Sequence, residues 1–189
     1  FLGKGVSYCA TCDGLFFKDK SVAVVGGGNT ALEEALYLSL ICRKVYLIHR
    51  GIEFTGDKSL LARVRASASI HVFLNTAVTG LHGNRKLERI EISSCSGNKA
   101  SAKGTTDGAT EAIQANGLFV AIGRIPQNRA FAPVVALDER GYIIAGENCH
   151  TNVPGIFAAG DCRTKDLRQL VTATADGAVA AAEAGKFIS

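Results

Sequence analysis

The stretch Ser21-Val-Ala-Val-Val-Gly26-Gly-Gly28-Asn29-Thr30-Ala31 decides the fold that this sequence predicts. A β-branched run, typical of a buried strand, enters a glycine-rich turn, and residues 29–40 then follow an amphipathic helical pattern. In Gly26-x-Gly28-x-x-Ala31, the first glycine allows a sharp bend, the second lets the backbone approach a pyrophosphate, and Ala31 allows close packing. We therefore predict that the amides of Asn29 and Thr30 face the phosphates of a dinucleotide. The alternative is a glycine turn that only packs.

The segments that follow this turn predict the rest of the fold. Strands at 44–48 and 70–74 flank a helix at 57–67, which predicts a parallel, doubly wound sheet with right-handed crossovers. Residues 76–82 and 87–94 alternate like antiparallel strands, and Ser94 to Thr110 has the composition of a surface loop. We further predict strands at 117–122, 142–145 and 156–159, and a final helix at 167–188.

A second motif, Cys9-Ala-Thr-Cys12 with the adjacent Asp13, precedes the glycine-rich turn. Six cysteines are present, and only Cys9 and Cys12 form a close pair, with no second pair or histidine at zinc-ligand spacing. A secreted disulfide scaffold would be shorter and richer in cysteine. We interpret the pair as a redox dithiol in a reducing cytoplasm. Asp13 could exchange a proton beside it, or serve only as a turn former before Gly14.

Two further positions point to cofactors. The strand at 44–48 leads into His49-Arg50, where dinucleotide-binding proteins usually place an acid against a ribose hydroxyl. A cation there favours a 2′-phosphate, and hence NADPH over NADH, unless it is simply an exposed strand-end charge. Gly160-Asp161 follows a small-residue strand and Arg168-Gln169 opens the last helix, where they could hold a flavin. A strand, a glycine and a helix cap explain these last residues equally well.

Composition argues against several classes of function. The net charge of +4 is mild, and no basic helix suggests nucleic acid as a partner. No apolar run approaches the roughly 20 residues of a membrane span. The scattered His71, His82 and His150 are interpreted as surface or packing residues, so no metal site is predicted. Because the chain starts at Phe1 and contains no Met, we interpret it as a fragment or a processed product.

Taken together, the motifs resemble those of the low-molecular-weight thioredoxin reductases. The resemblance covers nearly the whole chain and rests on residues 5–14, 24–39, 45–50, 117–123 and 155–161 with Arg168-Gln169. It implies an α/β fold: a Rossmann-like three-layer NAD(P)H-binding domain with an antiparallel β-meander, plus the C-terminal part of a second, FAD-binding Rossmann-like domain. Residues 1–120 would form the first domain and 121–189 would belong to the second. The family's N-terminal FAD fingerprint is absent, so the chain alone is expected to be inactive.

The resemblance also implies a mechanism. NADPH reduces FAD, and FAD reduces the Cys9–Cys12 disulfide of a cytoplasmic, homodimeric enzyme. Cys12 faces the flavin, Cys9 attacks the disulfide of thioredoxin or a thioredoxin-like protein, and Asp13 is the acid/base. Ile122 and Gly123 join the cofactor-binding residues, beside a hinge at 121–124 about which the family rotates one domain against the other.

One departure from the family keeps alternatives open. NADPH-specific members carry further arginines after His-Arg, at the positions that here hold Gly51 and Thr55. NADH or ferredoxin is therefore an alternative electron donor, and a peroxiredoxin or another disulfide protein an alternative acceptor. A nucleotide-binding fragment without catalysis is the alternative from another class.

Overall fold

A computed structural model describes residues 1–95 and 110–189, which divide into two units, Phe1–Gly123 (unit 1) and Arg124–Ser189 (unit 2). The boundary lies within the segment 121–124 for which we predict a hinge, and the hinge itself stays a prediction. Among the described residues, no helix combines the length and the apolar character needed to cross a membrane.

Unit 1 contains a parallel sheet and an antiparallel sheet. Its described elements are β1 (Val6–Ser7), α1 (Ala10–Asp13), a 3-10 turn (Gly14–Phe17), β2 (Ser21–Val25), α2 (Asn29–Ser39), β3 (Lys44–Ile48), α3 (Lys58–Ala66), β4 (Ile70–Phe73), β5 (Thr76–His82), β6 (Arg89–Ser94), β7 (Thr110–Gln114) and β8 (Gly117–Val120). The parallel sheet has the order β1-β8-β2-β3-β4, and the antiparallel sheet has the order β5-β6-β7. The predicted strands and helices of the dinucleotide-binding pattern are confirmed within one or two residues at each end.

One face of the parallel sheet is covered by helices. Side chains alternate between the two faces of a strand, and Val22, Val24 and Leu47 pack with the buried side chains of α2 and α3. Strands β2, β3 and β4 are successive neighbours in the sheet, in one direction. Because crossover connections are right-handed, the helices between these strands lie on the same face. The predicted α/β fold with a parallel sheet is confirmed, and the described helices of unit 1 pack on one face of that sheet.

The antiparallel meander covers the other face. Ala23, Ile48 and Leu118 of the parallel sheet pack there against Ile90 and Ile92 of β6. Helices, parallel sheet and meander are the three layers of the predicted fold class. Strand β7 starts at Thr110, the last residue of the predicted surface loop, and we did not predict it. Residues 96–109 of that loop lie outside the described residues.

Unit 2, which the structure describes in full, has one long helix, α4 (Leu170–Phe187), and a 3-10 turn at Arg129–Phe131. The strands predicted at 142–145 and 156–159 are reduced to single bridges, such as Ile143 with Arg163. Side chains take the backbone donors that a strand would use, because Tyr142 N–H donates to Asp138 Oδ1 at 2.8 Å and Ala145 N–H to Thr164 Oγ1 at 3.2 Å.

Candidate functional site

The predicted site residues of unit 1 gather at one edge of the parallel sheet. Cys9 follows β1, Gly26 follows β2, His49 follows β3 and Ile122 follows β8. Because these strands are parallel, their carboxyl ends meet at the same edge, which is where open α/β sheets bind ligands. The fold therefore brings the dithiol, the glycine-rich turn and the strand-end residues to one edge.

The glycine-rich turn is tightly packed at Gly26 and open at Gly28. Gly26 has φ +155°, and a Cβ there would lie 2.3 Å from the carbonyl oxygen of Ala121 and 2.8 Å from the Cβ of Ala31. A Cβ at Gly28 would instead find its nearest neighbour, Thr55 Oγ1, at 3.9 Å. The first amides of a helix lack intrahelical partners, so the start of α2 leaves donors above this open side. The turn fits a dinucleotide pyrophosphate.

Residues 55–57 are fastened to this turn. The Thr55 amide and hydroxyl both donate to the carbonyl oxygen of Gly27, at 2.8 and 3.2 Å. The Asn29 side chain donates to Asp57 Oδ2 at 2.9 Å and accepts from the Asp57 amide at 2.7 Å. The side chain of Asn29, predicted to bind cofactor, is thus used within the protein, whereas its amide lies at the start of α2. The sequence carries no motif for the contact made by Thr55.

His49 is half-buried, whereas Arg50 is exposed. The His49 ring stacks on Phe54 at 5.3 Å, and its Nε2–H donates to the carbonyl oxygen of Glu53 at 3.0 Å. Burial lowers the pKa of His49, the hydrogen bond to Glu53 opposes this change, and the charge of Arg50 adds to it. His49 is therefore neutral at neutral pH, and Arg50 carries the positive charge predicted at this strand end.

The dithiol is a Cys9–Cys12 disulfide across α1. Cys9 precedes the helix, and its sulfur accepts the amide of Cys12 at 3.2 Å. Ser7, only 5% exposed, donates its hydroxyl to Asp13 Oδ2 at 2.7 Å and accepts the amide of Cys9 at 3.1 Å. The predicted acid is thus oriented by a buried hydroxyl that sequence reasoning missed. The available signal was a serine at a strand end, two residues before the first cysteine.

In unit 2, Asp161 and Arg168 line one cavity of about 260 Å³. The Arg168 guanidinium lies 3.9 Å from the centre of the Tyr142 ring, and its Nη2 donates to the carbonyl oxygen of Arg163 at 3.4 Å. Its Nε is buried and has no acceptor among the described residues. A buried donor beside a cavity fits a ligand rich in acceptors. Gln169 caps α4, exchanging hydrogen bonds with Thr172.

A buried charged cluster supports the loop that carries Asp161. Asp176 accepts the amide of Gly160 at 2.9 Å, Arg163 Nε and Nη2 at 2.8 Å each, and Lys165 Nζ at 2.8 Å. The Arg163 side chain is 1% exposed and the Asp176 side chain 7%. The hydrogen bond from Arg163 holds the pKa of Asp176 well below its usual range, with Lys165 and Gly160 adding to the effect. Asp176, one of two acids in an alanine-rich helix, was the sequence signal that we missed.

Comparison with known proteins places the chain in a family. The sequence profile of the pyridine nucleotide-disulphide oxidoreductases matches residues 1–177. The chain belongs to this family. Membership of the pyridine nucleotide-disulphide oxidoreductases implies a flavin and a pyridine nucleotide as cofactors, which agrees with the open glycine-rich turn of unit 1 and the buried Arg168 donor of unit 2.

Individual oxidoreductases of the family match almost all of the chain. A thioredoxin reductase of Peptoclostridium acidaminophilum is 45% identical over 186 residues, covering 98% of this chain and 58% of the relative. The crystal structure of thioredoxin reductase from Streptococcus pyogenes MGAS5005 gives a TM-score of 0.88 at 35% identity, covering 98% of this chain and 57% of that one. The Giardia duodenalis thioredoxin reductase gives 0.84 at 34% identity, covering 98% and 58%. The chain thus spans a little over half the length of these relatives.

Proposed function

We propose that this chain belongs to a thioredoxin-reductase-type flavoprotein that passes electrons from NADPH through FAD and the Cys9–Cys12 dithiol to a protein disulfide. The observation that carries the proposal is the Cys9–Cys12 disulfide, with its oriented Asp13, at the sheet edge that also carries an open glycine-rich turn. In this proposal residues 1–120 bind the nicotinamide cofactor and residues 121–189 contribute to the FAD site. Asp161, Arg168 and Gln169 would hold FAD there, and Gly160 would shape the loop.

The side chains around the disulfide suit thiol–disulfide exchange. A flavin held by Asp161, Arg168 and Gln169 would supply the two-electron chemistry that links the nicotinamide to the disulfide. The Cys9 thiolate would then attack the partner's disulfide, and Cys12 would displace the partner from the mixed disulfide, leaving it reduced. Asp13, held by Ser7, is placed to give or take the proton that a cysteine exchanges.

The surface next to the dithiol supports a protein as electron acceptor. Leu15 and Phe16 lie in the 3-10 turn that follows α1 and are 67% and 74% exposed. Large apolar side chains that remain exposed beside a reactive group are typical of a docking surface for another protein. Thioredoxin or a thioredoxin-like protein is therefore the proposed partner. By resemblance we also propose a cytoplasmic homodimer and a hinge at residues 121–124.

NADPH is the proposed donor because the exposed Arg50 follows β3, where a 2′-phosphate would be recognised. Two observations favour NADH as a second candidate. His49 is neutral and stacked on Phe54, so it adds no positive charge for a phosphate. Thr55 is an uncharged residue, and its hydroxyl is hydrogen-bonded to Gly27. One assay can compare the two donors.

The test places the chain in the Peptoclostridium acidaminophilum thioredoxin reductase, in exchange for the matching segment, and follows thioredoxin reduction. We expect a yellow protein that oxidises NADPH in preference to NADH. Cys12→Ser should keep the bound flavin but lower the rate by about a hundredfold or more, because the electron path is cut. Cys95→Ser, which alters a free and partly exposed thiol, is the matched control and should leave the rate unchanged.

Three other outcomes of this test would lead to different conclusions. An unchanged rate in Cys12→Ser would remove the dithiol from the electron path and overturn the proposal. A preference for NADH would favour the second donor. A colourless graft that still binds nucleotide would support a binding module without catalysis.

A further inference from the structure

The dithiol turn rests on α2, the helix whose first amides lie above the glycine-rich turn. Ala10, the first residue of α1, is fully buried in the same apolar cluster as Ala31 and Ala35 of α2. At the other end of α1, a Cβ on Gly14 would come within 3.1 Å of Leu38 and Tyr37 of α2. The short helix that carries both cysteines is therefore packed on α2 over its whole length.

One charged side chain of α2 reaches the backbone of this turn. Glu34 Oε1 accepts the amide of Ala10 at 3.2 Å, and Ala10 directly follows Cys9. Ser7 fixes the turn from β1 through the amide of Cys9, so consecutive amides are held from two different elements. Glu34 is half-buried, where a carboxylate acts on neighbouring charges more strongly than in bulk water.

We propose that Glu34 is a positioning residue for the dithiol, holding the first turn of α1 and opposing the ionisation of the Cys9 thiol. The inference rests on the proposed function, in which Cys9 is the thiol that attacks the partner. A carboxylate on the adjacent amide disfavours a second negative charge on the Cys9 sulfur, since like charges destabilise one another. Glu34 thereby limits the thiolate fraction of Cys9 while keeping its geometry fixed.

The effect can be measured on the chain itself, without flavin, nucleotide or thioredoxin. Dithiothreitol gives two electrons and two protons to the Cys9–Cys12 disulfide, whose S–S bond breaks while the reagent closes its own disulfide. After the reagent is removed, the rate of Cys9 alkylation by iodoacetamide is followed against pH by peptide mass spectrometry. Cys95, a partly exposed free thiol, serves as the internal reference.

Glu34→Gln removes the charge and keeps an oxygen that can accept the Ala10 amide. We expect its Cys9 alkylation at pH 7 to rise about three- to tenfold, with the midpoint of the rate–pH curve moved to lower pH and the high-pH plateau unchanged. Glu33→Gln is the matched control, because it removes an equal charge from an exposed neighbour on the same helix. It should change the rate less than twofold.

Glu34→Asp tests whether the side chain holds the Ala10 amide separately from the effect of its charge. It keeps the carboxylate but shortens the side chain, so the rate–pH midpoint should stay near that of the wild type while the Ala10 amide exchanges its hydrogen faster. Equal changes in Glu34→Gln and Glu33→Gln, or no change in either, would overturn the role of the Glu34 charge. If Glu34→Gln does not fold, unaltered Ala10 exchange in Glu34→Asp overturns the holding role. Because no acceptor protein is used, these results are independent of whether the proposed electron path operates.

Discussion

The two units are stabilised by different kinds of interaction. Unit 1 buries apolar side chains on both faces of its parallel sheet, in two clusters that include Val22, Leu47 and Ile90. In unit 2 the apolar cluster has only four buried members, Val135, Ile143, Ala145 and Ala158. The largest fully buried side chain of unit 2 is a charged one, Arg163, bound to Asp176. Where strand pairing is reduced to single bridges, polar contacts take over the role of the sheet.

This difference sets how each unit responds to change. Apolar contacts are non-directional and tolerate substitutions that preserve volume, whereas a buried charge without its partner keeps the full cost of desolvation. Asn128 shows the same reliance on polar contacts in unit 2: it is 4% exposed, and its amide donates to the carbonyl oxygens of Gly141 and Cys162. Unit 2 should therefore be sensitive to the loss of single polar atoms.

The largest expected effect is from Asp176→Asn. The substitution is nearly isosteric but leaves the buried Lys165 without its countercharge and Arg163 with only the exposed Glu147, which should destabilise unit 2 by about 3–5 kcal/mol. Hydrogen exchange resolved by peptide should speed up in residues 124–189 and leave the strands of unit 1 unchanged.

Glu147→Gln is the matched control for that substitution. Glu147 lies 3.2 Å from the same guanidinium but is 91% exposed, so its loss should cost less than about 1 kcal/mol. Similar losses for the two variants would mean that burial does not decide the strength of these pairs, and the comparison of the units would fail.

A smaller effect is expected from methyl groups added in the glycine-rich turn of unit 1. In Gly26→Ala the new Cβ meets the backbone oxygen of Ala121 at 2.3 Å, at a φ that disfavours L-residues. We expect a loss of about 1–3 kcal/mol and of dinucleotide binding. In Gly27→Ala the Cβ meets the His49 ring at 2.2 Å, and a side chain can rotate away more easily than backbone can shift.

The pair of alanine variants therefore has an expected order. Urea denaturation should show a larger loss for Gly26→Ala than for Gly27→Ala, and only the second should move the pKa of His49 back towards its ordinary value. The reverse order of stability would show that the His49 ring, rather than the backbone contact, sets the shape of the turn.

Sequence patterns predicted unit 1 well because its elements are periodic. A continuous β-branched run such as Val22–Val25 can be recognised without knowing its partners. Strand β7 was missed because it follows a stretch rich in Gly, Ser and Thr, and within it only Ile113 points a large apolar side chain into the core. The motif residues Cys9, Cys12 and Gly26 were also assigned from spacing alone.

The remainder depends on contacts between residues distant in sequence. Arg163 and Asp176 are thirteen positions apart, on a loop and a helix, and no local pattern predicts that they meet. Ser7, Glu34 and Thr55 contact the site through hydrogen bonds from neighbouring segments. In unit 2, the strands predicted around Ile143 failed because side chains of Asp138 and Thr164 replaced the ladder. Motifs identify the reacting groups, whereas tertiary structure supplies the groups that hold them.

The smallest expected effect uses acidity to separate the units. Burial keeps the pKa of His49 below its ordinary value of about 6.5. The neutral form of His49 therefore stabilises unit 1 above that pH, and this stability is lost as the pH falls through the lower pKa of the folded state. The pKa of Asp176 is lowered as well, but from an ordinary value near 3.9, so unit 2 keeps that contribution until the pH falls below about 4. Between these two pH values, urea denaturation should therefore show that unit 1 loses stability before unit 2 does. His49→Gln should reduce the pH dependence of the stability of unit 1. If unit 2 lost stability first, the packing of His49 against Phe54 would not be the acid-sensitive contact. The two units would then not differ in their response to acid as an apolar unit and a charged unit should.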